Sequence, residues 1–252
     1  MYSSKIMQGI LRFFDPILRV GFYAHDRLAD FLAKHFTQVK FFLLLVAHVS
    51  LFGFFFPDMR REFGSLARTL LLFILFLSPL SKIFRIRLLA QLMGLRRQLG
   101  IWFAYLASVH SLGYVFDPLW SDFIFHSQAE GPFGIQPTYF FGSIAYVLTI
   151  PLLVTSNNFS VRLLRVNWKR VQALVYPVLF FTLLHSFLLS RTGKLDATLL
   201  AIGLIQTALV VGVYAFLKLL ARKNVWAGLI QFNDLVVERY VAYRAQSRVE
   251  KI

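Results

Sequence analysis

Cysteine is absent from the 252 residues. That excludes disulfides, thiolate nucleophiles and iron–sulfur ligation, and it leaves histidine as the ligand for any bound transition metal. Acidic residues are scarce: 12 Asp and Glu stand against 27 Lys and Arg, a formal net charge of +15. No Gly-rich phosphate loop, Ser/His/Asp arrangement or dinucleotide-binding βαβ unit occurs, so the chain has no flavin or nicotinamide domain of the soluble kind. Near its N-terminus it lacks the short apolar core and small-residue cleavage site of a signal peptide, so no cleavage is expected. What is abundant is apolar surface. Apolar residues make up 58% of the chain and 28 are Phe, more than a soluble core of this size buries, and an integral membrane protein is expected.

The basic residues sit in bands between apolar runs rather than on one stripe, which argues against nucleic acid and for membrane topology. Six stretches are long and apolar enough to span, at about 41–57, 65–81, 98–118, 137–156, 171–191 and 195–220, each near the ~20 residues a bilayer requires. Lys82, Arg85, Arg87, Arg96 and Arg97 fill the connection 82–97, and Arg162, Arg165, Lys169 and Arg170 fill 157–170. The connection 117–136 instead has Asp117, Asp122 and Glu130 with no Lys or Arg. The positive-inside rule makes the first two cytoplasmic and the third external, and alternation puts both termini inside. Arg60, Arg61 and Arg68 run against the rule, partly offset by Asp58 and Glu62.

Residues 7–36 do not read as a span. Asp15-Pro16 interrupts them, and Arg19, Asp26, Arg27, Asp30 and Lys34 recur on one side while Ile17, Val20, Leu28, Phe31 and Leu32 recur on another. A helix lying in the interface is expected there and again over 224–247. With no internal repeat or low-complexity linker, the fold expected is all-α. It is a polytopic membrane helix bundle of six transmembrane helices, with an amphipathic interfacial arm over 1–40, the bundle over 41–220 and an amphipathic basic tail over 221–252.

Two histidines stand inside this bundle at matched depth. His110 follows Arg97 by 13 residues and His185 follows Arg170 by 15, which at 1.5 Å per residue is roughly 20 and 22 Å into the bilayer on helices running the same way. Two neutral imidazoles can fill both axial positions of a b-type haem, and apolar helix walls would exclude water from it. The bland alternative is that each imidazole bonds a neighbouring helix, yet paired intramembrane ionisable residues are functional candidates by default. His48, halfway along the first span, fits a third ligand, a quinone contact or, preferred here, a helix-packing group. His25, His35 and His126 fit interfacial or solvated roles. Arg96, Arg97, Lys169 and Arg170 are most simply topology anchors, with pairing to haem propionates or a flavin phosphate as the other reading. Trp102, Tyr105, Trp168 and Tyr176 fit an interfacial aromatic belt, and Asp117, Asp122 and Glu130 fit either a solvated loop or a docking face.

The segments LRRQLGIWFAYLASVHSLGY (95–114), LLVTSNNFSVRLLRVNWKRVQALVYPVLFFTLLHSFL (152–188) and FGSLARTLLLFILFLSPLSKIFRI (63–86) resemble the ferric-reductase-like transmembrane domain family, and within it the bacterial MsrQ (YedZ) branch. The resemblance covers about half the chain and rests on Arg-Arg, Leu-Gly, His and Trp-Lys-Arg at these spacings. It implies a six-helix haem b protein that passes electrons across the inner membrane. In that branch they travel from a cytosolic flavin reductase or a quinol to a periplasmic molybdenum enzyme that repairs oxidised methionine. His110 and His185 match family haem ligands. Gln172 stands where the family motif has histidine, at the cytoplasmic start of the fifth span, and position 97 of the third is Arg. An amide is a poor axial ligand, so one haem is expected, and a quinone or FMN is supported by no motif. A haem-free membrane scaffold or assembly factor is the competing reading, motivated by Gln172 and the amphipathic ends. A transporter is disfavoured because no broken helices or inverted repeat are evident.

Overall fold

The computed structural model describes residues 15–84, 86–117, 137–189 and 197–222, with Glu238, Val241 and Ala242. Its regular elements are helical. In chain order they are α1 (Asp15–Lys34), α2 (Phe36–Val49), two 3-10 turns (Ser50–Phe55 and Pro57–Met59), α3 (Arg60–Phe84), α4 (Arg87–Met93), α5 (Arg96–Val115), α6 (Pro137–Val154), α7 (Asn158–Leu164), α8 (Val166–Gln172), α9 (Val175–Leu189) and α10 (Ala197–Arg222). The all-α expectation holds. Most of the tail 224–247, together with Asp122, His126 and Glu130, lies outside the described residues.

Four described stretches are long and apolar enough to cross a membrane: Phe36–Phe55, Pro57–Phe84, Val166–Leu189 and Leu200–Ala221. A fifth exists if α6 and α7, bent by 91°, count as one. The 20-residue α5 is not among them, because Arg96, Arg97, Gln98, Ser108, His110 and Ser111 dilute its apolar character. Apolar side chains exposed along these helices mark a lipid-facing surface. On α10, Leu204, Ile205, Leu209, Val213 and Phe216 face outward while Thr207 and Tyr214 turn inward, an orientation that suits a hydrocarbon solvent and not water.

Two compact units emerge from the packing. The first joins Met1–Val39, Leu77–Gly94 and Phe216–Ile252. Within it α1 lies along α4. Asp15 and Pro16 are the first residues of α1, where a proline is tolerated because its missing N–H would have had no partner. The Nε2 of His25 accepts from the backbone N–H of Leu88 at 3.2 Å, capping α4, whose own N-cap is Ile86 and offers no side-chain acceptor. Arg87 bonds Asp30 at 2.6 Å across the same pair of helices. The arm is therefore helical over Asp15–Lys34, and His25 is a cross-helix cap.

The second unit joins Lys40–Phe76 and Leu95–Ala215 and holds the bundle core. On α3, Ala67, Leu70, Leu71, Ile74 and Leu75 are buried, the i, i+3, i+4, i+7, i+8 stripe of one helix face. On α5 the buried Leu99, Phe103 and Leu106 lead at the same spacing to His110. On α9 the buried Val178, Leu179, Leu183, Leu184 and Leu188 flank His185. α9 packs chiefly on α6, and α6 on α5. The connection 157–170, expected as a charged loop, forms α7 and α8. Asn157 caps α7 by accepting from Ser160 N–H, and Arg165, at φ 49°, turns the chain between the two helices.

Candidate functional site

His110 and His185 come together. Their ring centres are 6.4 Å apart with planes inclined 64°, so two residues 75 positions apart in the chain converge on one point. The Nδ1 of His110 lies 2.8 Å from the carbonyl oxygen of Arg60. A carbonyl only accepts, so Nδ1 carries the proton and Nε2 keeps its lone pair, the tautomer a metal-binding imidazole needs.

Each ring is seated on a glycine of a neighbouring helix. A Cβ built on Gly64 of α3 would stand 2.6 Å from Nδ1 and Cε1 of His110, and one on Gly142 of α6 would stand 2.9 Å from Nδ1 of His185. Glycine is needed at both positions because the ring occupies the space a side chain would fill. Tyr114, one turn beyond His110, meets its ring edge-on at 5.2 Å, and the ring of Tyr139 lies 6.3 Å from that of His185. Toward the other end of the helices, Tyr146 Oη donates to Ser108 Oγ at 3.3 Å, tying α6 to α5.

Two imidazoles sharing one metal at the ~2.0 Å typical of metal–imidazole bonds bring their ring centres to about 6 Å apart, close to the spacing observed. Among the described residues no group of three or more His, Asp or Glu could hold a bare metal ion. The spacing of the pair is what fits two imidazoles on one iron.

The other candidates lie elsewhere. His48 donates from Nδ1 to the carbonyl of Leu44, one turn back on α2, and its ring meets Tyr105 at 5.2 Å. Gln172 donates from Nε2 to Thr155 Oγ1 at 3.0 Å, and Trp168 donates to the Thr155 carbonyl at 2.9 Å. Arg97 donates to the Ser156 carbonyl and to Asn158 Oδ1, at 2.8 and 2.7 Å. Arg97, Trp168 and Gln172 thus all brace the corner between α6 and α7. Arg170 reaches Asn167 of its own helix at 3.3 Å.

Sequence reasoning missed Arg60, Gly64, Gly142 and the role of Asp117. Arg60 is 8% exposed and pairs through Nη1 with Asp117 at 2.5 Å. The cation that ran against the positive-inside rule is therefore neutralised inside the protein, and Asp117 is its partner. Its departure from the expected charge pattern was the signal in the sequence.

A family model described as ferric reductase like transmembrane component matches residues 63–183. The protein-methionine-sulfoxide reductase heme-binding subunit MsrQ of Xanthomonas campestris pv. campestris (strain B100) is 31% identical over 168 residues, 66% of this chain and 72% of that one. Its namesake from Xanthomonas oryzae pv. oryzae (strain MAFF 311018) is 32% identical over 135 residues, 54% of this chain and 59% of that one. The chain belongs to the ferric-reductase-like transmembrane family. The matched stretch contains His110 and Gln172 and ends two residues before His185. No solved structure matches the chain. Family membership and the apolar helices together make it an integral membrane protein.

Proposed function

We propose that this protein holds one b-type haem between His110 and His185 and relays electrons within or across the bilayer to an external acceptor. It would do so as the haem-binding subunit of a methionine sulfoxide reductase system with a periplasmic partner enzyme. The observation that carries the proposal is the imidazole pair: ring centres 6.4 Å apart, with the His110 Nδ1–H tied to the Arg60 carbonyl. The names of the relatives support it. A bound haem supplies reversible one-electron chemistry. The chain would supply two imidazole nitrogens to hold it, a carbonyl that fixes one tautomer, glycine seats that fix both rings, and buried Leu106, Val109, Leu183 and Leu184 that keep water from the flanking helices.

Among the described residues, Gln172 and Arg97 hold the α6–α7 corner in place of a second imidazole pair, which supports one haem. Electrons would then enter from a membrane quinol or a soluble flavin reductase. In this reading α2, α3, α5, α6, α9 and α10 span a bacterial inner membrane with both termini cytoplasmic, and α1 lies in the interface. The reduced-minus-oxidised visible spectrum of purified protein tests the ligand assignment. Sharp reduced-haem bands are expected in the wild type and their loss in a His110→Ala, His185→Ala double variant. Bands that persist in the variant overturn the assignment, and a colourless wild type that co-purifies with a stable partner favours the haem-free scaffold.

A further inference from the structure

The buried guanidinium of Arg60 has a donor to spare. Nη1 is held by Asp117, the plane lies over the Tyr114 ring at 5.9 Å, and Nε is buried with no hydrogen-bond partner. The arm crosses α5 at Gly113, where a Cβ would stand 3.0 Å from Nε, so the missing side chain is what lets it lie there. Gly113 is three residues beyond His110, and the same Arg60 donates its carbonyl oxygen as acceptor to the His110 ring. An orphaned N–H in a low-dielectric interior is costly. Here it sits within one helical turn of the imidazole pair.

We propose that Arg60 is the carboxylate-binding residue of the site: its Nε–H receives a propionate of the group seated between His110 and His185, and Asp117 positions the guanidinium by holding Nη1. This rests on the haem reading above and adds to it the residue that takes the ligand's acidic arm. The alternative sources of a cation differ in kind, since Arg97 and Arg170 are exposed and bonded to Ser156, Asn158 and Asn167. A guanidinium presents several N–H donors in a fixed fork. One can therefore bind Asp117 while another serves the ligand.

The test is uptake of protohaem, compared with its dimethyl ester, by full-length protein made without haem and purified in detergent. Wild type should retain protohaem roughly tenfold to a hundredfold more tightly than Arg60→Gln does, the range of a hydrogen bond to a charged group. With the ester the two proteins should bind alike. Because a lone Arg60 variant removes the cation that pairs with Asp117, an Arg60→Gln, Asp117→Asn double variant is measured beside it and should show the same selective loss. Arg60→Lys should recover part of the affinity, and exposed Arg61→Gln none of the loss. Equal weakening toward both porphyrins, or no weakening in either variant, overturns the assignment of Arg60 alone. Failure of the wild type to take up either porphyrin overturns it together with the haem reading.

Discussion

Replacing Gly64 by alanine should unseat His110. The added methyl would lie 2.6 Å from the ring, whereas non-bonded carbon contacts settle near 3.5 Å or more, so the ring or α3 has to move by roughly 1 Å. The ring cannot swing freely, because its Nδ1–H is bonded to the Arg60 carbonyl at 2.8 Å, and that carbonyl sits at the start of the same helix as Gly64. Overpacking of this kind costs about 1–3 kcal/mol, and it falls on a proposed haem ligand. Gly142→Ala is milder, with a nearest approach of 2.9 Å to His185, so its ring needs to yield about two-thirds as far. Gly100→Ala is the internal control. Nothing lies within 4 Å of a Cβ there, and a helix-interior alanine should add about 0.5–1 kcal/mol of stability. Haem per chain and the thermal midpoint in detergent read all three variants. Haem content should fall in the order Gly100→Ala, Gly142→Ala, Gly64→Ala. Full haem content with an unshifted spectrum in Gly64→Ala would refute the seating of His110 on α3.

Further outcomes follow from residues outside the ring seats. Gln172→Ala should cost about 1 kcal/mol through the lost bond to Thr155 and leave haem content unchanged by pyridine haemochrome assay. Gln172→His should also leave it unchanged, because Arg97 opposes it in place of an imidazole and is held by Ser156 and Asn158. A second haem in that variant would show that one inner histidine suffices. Arg165 holds φ 49° at an exposed turn, a conformation costing about 1–3 kcal/mol for a side-chain residue. Arg165→Gly should therefore raise stability by about 1 kcal/mol, and a drop would mean that its side chain matters more than its backbone. His25→Ala should cost about 1 kcal/mol, the usual worth of an N-cap, and speed amide exchange at Leu88. Asp30→Asn, at a half-exposed ion pair, should change stability by under about 1 kcal/mol.

The sequence revealed the elements that follow from periodicity and charge bands. The spacing of Leu70, Leu71, Ile74 and Leu75 marks the inner face of α3, and similar distances from two basic runs singled out His110 and His185, whose rings do meet. Family resemblance added Gln172 as a departure, and the structure gives its amide a defined partner in Thr155. Contacts between residues far apart in the chain were not legible. Arg60 and Asp117 are 57 residues apart, and nothing local distinguishes either from a solvated loop charge. Gly64 and Gly142 are unremarkable in a helical pattern, since their meaning is the ring that lies across them. The right-angle turn at 155–157 escaped because the basic residues beyond it read as a loop, while Val161, Leu163, Leu164 and Val166 continue a helical pattern there. His25 looked interfacial because an N-cap supplied from another helix has no signature at α4 itself.

The central claim is that one haem is held by one imidazole pair. Its most direct test is the molar ratio of haem to polypeptide in the full-length protein, purified in detergent from haem-replete cells. The account predicts a ratio near one in the wild type and near zero in the His110→Ala, His185→Ala variant. A ratio near two, or a ratio unchanged by the double substitution, would contradict it.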